Sequence, residues 1–103
     1  MKISGFDWDT ANWPKCGKHG VSREEIEEVF EGTPAVMADP HPSEARMRVI
    51  GRTRAGRYVF LVFMPRTVQG RKLIRPISAR YMHKKEIDYY ESSSSQKDTA
   101  PSE

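Results

Sequence analysis

The sequence predicts an α+β domain in which helices lie towards both ends of the chain and a mainly antiparallel sheet lies between them. Three observations support this prediction. A capped amphipathic helix fills residues 22–31, runs of β-branched and aromatic residues separated by turns fill 35–78, and a charged helical segment follows at 79–91. With 103 residues, of which 37% are hydrophobic and 30% charged, the chain can form one small core.

The first twenty residues are expected to form a short extended arm and a short helix. Apolar residues alternate weakly with polar ones in segment 2–8, which favours a strand. Pro14 fits only the first turn of a helix, and the glycines that follow it end that helix. We therefore expect residues 15–20 to form a short helix and a turn that presents Lys18 and His19.

The clearest element is the helix that begins after Ser22. Ser22 and Glu25 have the spacing of a capping box, in which each side chain bonds the backbone N–H of the other residue. Gly32 is placed to end the helix. One face is apolar, through Ile26, Val29 and Phe30, and the other faces are crowded with glutamates, at positions 24, 25, 27, 28 and 31.

Four strands are predicted after this helix, at residues 35–38, 47–53, 57–63 and 73–78. The third is a continuous apolar run, which is typical of a central strand buried on both faces. The fourth contains Pro76, which cannot donate a backbone hydrogen bond and therefore indicates an edge strand or a bulge.

The last elements are a helix at 79–91 and a serine-rich segment at 92–103. The serine-rich segment has almost no apolar side chains, so burial cannot offset the entropy of ordering it, and we expect a disordered tail. The single domain should then span residues 1–91.

Composition excludes several classes of protein. The one cysteine, Cys16, allows neither an internal disulfide nor a zinc finger. The N-terminus lacks the apolar run of a signal peptide, and the longest apolar stretch, 58–64, is far below the ~20 residues of a membrane span. We expect a cytoplasmic protein without a membrane, metal or cofactor requirement.

The small net charge of +3 conceals two oppositely charged segments. Residues 46–91 hold twelve Lys and Arg against three Asp and Glu, whereas residues 23–45 hold one Arg against seven acidic residues. Nine of the twelve cations are Arg, whose planar fork matches phosphate oxygens. With Tyr58 and Tyr81 nearby in sequence, this pattern favours an RNA-binding surface. A merely solvated sheet face is the alternative.

The histidine with the best chemical context is His19, which follows Lys18 between two glycines. A neighbouring cation favours the neutral imidazole that a general base requires, although a structural role is also open. RNA cleavage by attack of the ribose 2′-hydroxyl needs proton transfer and cationic stabilisation of the phosphate, and needs no metal.

Four sequence blocks resemble the BrnT family of toxins. They are Phe6-Asp7-Trp8-Asp9, Lys18-His19-Gly20-Val21-Ser22, Ile50-Gly51-Arg52-Thr53, and Ile77-Ser78-Ala79-Arg80 before a charged helix ending in Tyr90-Glu91. Their order and spacing agree over nearly all of residues 3–91.

This resemblance implies a ribonuclease toxin of a type II toxin-antitoxin system, with a RelE-like fold of N-terminal helices packed on the sheet. It also implies a cognate BrnA-like antitoxin with a ribbon-helix-helix part, through which alone the complex binds operator DNA. The catalytic residues it implies are Lys18, His19, Arg52 and Arg80. The two arginines would stabilise the scissile phosphate, and His19 or Lys18 would transfer protons or hold the RNA.

We expect further RNA contacts from residues near these positions, namely Arg54, Tyr81, His83 and Lys84. Tyr81 could stack on a base or simply pack in the core. The alternative to a toxin is a non-catalytic module that binds RNA or a partner and has kept the fold. It predicts salt-sensitive RNA binding with the RNA left intact.

Overall fold

The computed structural model describes residues 3–40 and 45–99, with side chains described as far as Ser93. It confirms the α+β class. The elements are β1 (Gly5–Phe6), a 3₁₀ turn (Lys15–Gly17), α1 (Arg23–Glu28), β2 (Ala35–Ala38), β3 (Met47–Arg52), β4 (Tyr58–Val68), β5 (Arg71–Tyr81) and α2 (Lys84–Thr99). Within the described ranges, no helix has the length and apolar character needed to cross a bilayer.

The five strands form one sheet in the order β1-β5-β4-β3-β2. Neighbouring strands are antiparallel, except that the short β1 runs parallel to β5 beside Leu73 and Ile74. This confirms the predicted, mainly antiparallel sheet. Because β1 pairs with only two residues of β5, the part of β5 after Ile74 has a strand partner on one side alone, β4, and on the other side the Asn12 side-chain amide donates to the Pro76 carbonyl oxygen at 3.0 Å.

One face of the sheet, here called the inner face, carries α1 and the N-terminal segment. Its core includes alternate residues of β4, Val59, Leu61 and Phe63, together with Ile26 and Val29 of the α1 region. The opposite, outer face is half-buried, and α2 lies over part of it, where the rings of Tyr58 and Tyr90 meet edge to face with their centroids 5.8 Å apart. β4 is thus fully buried on one face, and not on both as the sequence predicts.

The long β5 strand contains the irregularity that Pro76 predicts. Val62 of β4 pairs with Ser78 and Phe63 pairs with Pro76, so Ile77 is an extra residue on β5. The bulge changes which residues point inward. Pro76 and Ala79 are both buried on the inner face, although they are three positions apart.

The last helix begins later than the sequence predicts. Residues 79–81 continue β5, because Arg80 pairs with Phe60 and Tyr81 with Val59. α2 starts at Lys84, where the backbone N–H of His83 donates to Glu86 Oε1 at 2.8 Å. The prediction of a helix from residue 79 is therefore wrong, because strand pairing with β4 overrides the local helical pattern.

The N-terminal helices are fewer and shorter than a RelE-like prediction suggests. They amount to one 3₁₀ turn and the six residues of α1, whose predicted capping box is present between Ser22 and Glu25. At the other end α2 continues to Thr99, into the segment for which the sequence predicts a disordered tail. Side chains from 94 onward and all of residues 100–103 lie outside the described part, so the domain limit at 91 and the tail stay predictions.

Gly51 allows the end of α1 to lie directly against β3. A Cβ atom at Gly51 would lie 2.8 Å from Val29 Cγ1 and 2.9 Å from the Val29 carbonyl oxygen. A carbonyl oxygen on the backbone cannot rotate away, so any side chain would push the two elements apart.

We therefore expect Gly51→Ala to lower the free energy of unfolding by about 1–3 kcal/mol through overpacking. Urea unfolding followed by circular dichroism measures this loss. Gly32→Ala is the matched control, because a Cβ at Gly32 meets no atom within 4 Å. Equal losses in the two variants would contradict the close approach at Gly51.

Candidate functional site

The eight residues proposed from the sequence all lie at one end of the sheet, where β3 ends, β4 begins and β5 ends. We call this region the site end and define it by residues 18–20, 52–58 and 80–84. The turn 18–20 belongs to it because the carbonyl oxygen of Gly20 lies 3.3 Å from the Tyr81 hydroxyl. The eight residues are Lys18, His19, Arg52, Arg54, Arg80, Tyr81, His83 and Lys84.

The site end has two faces, because consecutive residues of a strand point in opposite directions. Tyr81 lies on the inner face beside the turn that carries Lys18 and His19. Arg80 lies on the outer face, where its guanidinium is 4.9 Å from the centroid of the Phe60 ring. Arg52 shares the outer face, since it pairs with Tyr58 in the register of β3 and β4. The structure therefore separates the proposed catalytic residues into two clusters.

The inner-face cluster consists of Lys18, His19, Glu25, Arg57 and Tyr81. The Tyr81 hydroxyl donates to Glu25 Oε1 at 2.6 Å, and the Arg57 guanidinium carbon lies 3.4 Å from the centre of the Tyr81 ring. Glu25 is itself fixed by the capping box at the start of α1. The cluster is thus a stack of cation, ring and carboxylate beside an exposed turn.

The turn that presents Lys18 and His19 depends on Gly20. Gly20 has φ = +94°, a backbone conformation that favours glycine because it has no Cβ. Lys18 and His19 are exposed, and neither makes an ion pair within the described residues. Both side chains therefore remain available to a ligand that approaches the site end from solvent.

The carboxyl and phenol groups of the inner-face cluster have shifted proton affinities. Burial alone would raise the pKa of Glu25, but hydrogen bonds from Tyr81 and Ser22 lower it overall. The same bond to Glu25, with burial, raises the pKa of Tyr81. Tyr81 thus keeps its proton and Glu25 its charge. Their contacts hold the ring and the stacked Arg57 in place.

The outer-face cluster consists of Arg52, Tyr58, Arg80, Glu86 and Glu91. Arg80 makes two hydrogen bonds of 2.8 Å, one to each carboxylate oxygen of Glu86. Arg52 Nη2 donates to the Tyr58 hydroxyl at 2.7 Å and to Glu91 Oε2 at 3.2 Å. Each of the two arginines is thus already bound by a carboxylate of α2.

Glu86 is held strongly in its ionised form. The Arg80 guanidinium, aided by the backbone N–H of His83, lowers the pKa of Glu86 to about 2. The side chains of Arg80 and Glu86 are nevertheless 36% and 37% exposed, so solvent reaches the pair. A phosphate could replace this carboxylate on Arg80, since both present two oxygens to the guanidinium fork.

The remaining predicted RNA-binding residues lie at the surface of the site end. Arg54 binds Glu28 and Glu31, so it joins the turn after β3 to the acidic helix region. Lys84 pairs with Asp88 at 3.0 Å, and His83 is exposed just before α2. Exposed pairs of this kind contribute little to stability, because water and salt screen the two charges. Among described residues, no three His, Cys, Asp or Glu side chains are grouped to hold a metal ion.

Sequence reasoning missed the partners that organise both clusters. The sequence marks Arg57 only as part of the basic segment, because its stacking on Tyr81 depends on the sheet register. Glu86 carried a usable signal, because a glutamate three residues after His83 is half of a capping box and marks a helix start there. A helix that starts at Lys84 leaves Arg80 and Tyr81 outside the helix, where they can belong to β5.

Comparison with known proteins gives one result. The sequence model of a family described as "Ribonuclease toxin, BrnT, of type II toxin-antitoxin system" matches residues 8–86. The match spans both clusters as far as Glu86. No curated protein sequence matches the chain.

The Arg80–Glu86 pair predicts a specific pH dependence of stability. The pKa of Glu86 is about 2 in the folded chain, compared with an ordinary value of 4.5. The contribution of this group is therefore present above pH 4.5 and is lost as the pH falls towards 2. We expect the unfolding free energy of Glu86→Gln to fall less steeply over that window than that of the wild type.

Chemical denaturation at a series of pH values measures this difference. Glu24→Gln is the control, because Glu24 is exposed and makes no ion pair in the described part of the chain. Its slope should follow that of the wild type. Identical slopes for Glu86→Gln and the wild type would show that Glu86 is not coupled to folding.

Proposed function

The chain belongs to the BrnT family of ribonuclease toxins of type II toxin-antitoxin systems, and we propose that it cleaves RNA itself, by a metal-independent reaction at the site end. The observation that carries this proposal is the exposed Lys18–His19 turn beside Arg57, a guanidinium that makes no ion pair in the described ranges. These groups supply what phosphodiester cleavage needs, namely a base, an acid and a cation for the phosphate.

The proposed reaction uses the ribose 2′-hydroxyl as the nucleophile. His19 accepts the hydroxyl proton while the oxygen attacks the adjacent phosphorus, and Lys18 donates a proton to the departing 5′-oxygen. The products are a 2′,3′-cyclic phosphate and a free 5′-hydroxyl. Placement of both groups on one exposed turn supports this division of labour, because each can approach the same phosphate from solvent.

We assign each arginine to a phosphate according to its position and to whether a carboxylate already binds it. Arg57 and the turn that carries Lys18 and His19 share a contact with Tyr81, so we assign Arg57 to the scissile phosphate. Arg52 and Arg80, on the outer face, bind the scissile or a neighbouring phosphate once it replaces Glu91 or Glu86. This exchange is supported by the exposure of both ion pairs.

Family membership implies an antitoxin partner and an RNA target. We propose more specifically a BrnA-like antitoxin with a ribbon-helix-helix part that neutralises the toxin in the cytoplasm and brings the complex to operator DNA. We also propose that cleavage of RNA inhibits translation, and that the sheet with its flanking helices is a RelE-like arrangement.

The central test is cleavage of single-stranded RNA by the purified protein in the presence of a chelator. We expect His19→Ala and Arg57→Ala each to reduce the cleavage rate about 100-fold or more, the usual loss for a general base or a transition-state cation. Arg71→Ala is the control, because Arg71 starts β5 at the opposite end of the sheet. Binding of RNA that is recovered intact would support the non-catalytic alternative and refute the proposal.

The outer-face arginines have a separate test in RNA affinity. We expect Arg52→Ala and Arg80→Ala to weaken RNA binding and to reduce the slope of log affinity against log salt by about one each, as loss of a phosphate contact requires. Fluorescence anisotropy with a labelled RNA over a salt series measures the slope. Slopes that match the wild type, in variants with unchanged circular dichroism, would remove both residues from the RNA-binding surface.

A further inference from the structure

A cavity of about 320 Å³ opens at the site end, beside the last residues of β3. It lies where β3 extends beyond β2, since β2 begins opposite Ile50 and leaves Arg52 without a β2 partner. The segment from Gly32 to Pro34 and the ring of Tyr90 from α2 complete its wall. The close approach of Val29 to Gly51 brings this segment near enough to β3 to form the cavity.

The lining of the cavity combines aromatic rings with a cation. Tyr58 and Tyr90 meet edge to face, with ring centroids 5.8 Å apart. The Arg52 guanidinium lies over the Tyr58 ring, 4.5 Å from its centroid, and Thr33 also lines the cavity. Aromatic rings and guanidinium planes are the groups on which proteins stack unpaired RNA bases.

The size of the cavity limits what it can hold. Its volume lies at the lower end of the range for ligand pockets, which suits one planar ring system. The ion pair between Arg52 and Glu91 is exposed to solvent, so a phosphate can take the place of Glu91 on Arg52. An occupant with a flat ring and an attached phosphate would satisfy both parts of the site, the ring against the tyrosines and the phosphate in place of Glu91.

We propose that this cavity is a nucleobase subsite, which takes one unpaired base of the RNA while Arg52 binds the phosphate of the same nucleotide. The inference rests on the proposed function for its substrate class and adds the place where a base is recognised. It gives Tyr90 a function that the cleavage reaction itself does not require.

Two adjacent tyrosines of α2 allow a matched test. Tyr90 lines the cavity, whereas Tyr89 is 78% exposed and is not among the residues that line it. The probes are adenosine and uridine 5′-monophosphate, titrated by NMR and calorimetry into the full chain, with inorganic phosphate as the probe for charge alone. We expect at least one nucleotide to bind more tightly than phosphate and to shift the amide signals of residues 32–34 and 50–52.

We expect Tyr90→Ala to weaken nucleotide binding about ten-fold, with Tyr90→Phe near the wild type and Tyr89→Ala unchanged, because stacking needs the ring and not the hydroxyl. Thermal unfolding of each variant confirms that it is folded. Equal affinity for nucleotides and phosphate, or equal nucleotide affinity in the wild type and Tyr90→Ala, would overturn the subsite.

The outcomes also separate the subsite from the cleavage proposal. Nucleotide binding that depends on Tyr90 in a protein that leaves RNA intact would support the subsite and refute cleavage. Cleavage that persists in a protein with no nucleotide binding at Tyr90 would refute the subsite alone. Loss of antitoxin binding in Tyr90→Ala, with no nucleotide binding in the wild type, would assign the cavity to the partner protein and refute the subsite.

Discussion

The bulge at Ile77 is the constraint on which the site depends. In a regular strand, Pro76, Ser78 and Arg80 would share one face, because side chains alternate with a period of two. The extra residue shifts this alternation, so Ala79 enters the core and Arg80 turns outward. The same shift places Tyr81 against Glu25 of α1. One additional residue in β5 therefore determines that Tyr81 joins the inner-face cluster and Arg80 the outer-face cluster.

The charge segregation along the sequence is largely compensated in space. Arg54 of the basic segment binds Glu28 and Glu31 of the acidic one, and the arginines of the outer-face cluster are bound by α2. Arg57 is different, because its contact is a ring and not a carboxylate salt bridge. If this end of the sheet binds RNA as we propose, these exposed ion pairs would hold its cations in place until a phosphate replaces the carboxylates.

An element can be predicted from the sequence when the residues that form it lie close together in the chain. The capping box of α1 joins two residues that are three positions apart, so the spacing of Ser22 and Glu25 is enough to predict it. Strand assignment at 79–81 failed, because Arg80 and Tyr81 take their conformation from pairing with Phe60 and Val59. Pro76 predicts an edge position or a bulge, but it does not predict the direction of the side chains that follow, since this depends on which residue of β4 lies opposite.

The sequence by itself determined the α+β class, the start of α1, the basic and acidic segments and the blocks that identify the family. These features are local patterns or direct properties of residue types. Only the tertiary structure decided that Lys18 and His19 share a face with Arg57 and Tyr81, while Arg52 and Arg80 lie on the other face beside Tyr90. The reason is physical. Sheet register, the bulge and the close packing at Gly51 join residues far apart in the chain, and no spacing within the sequence records them.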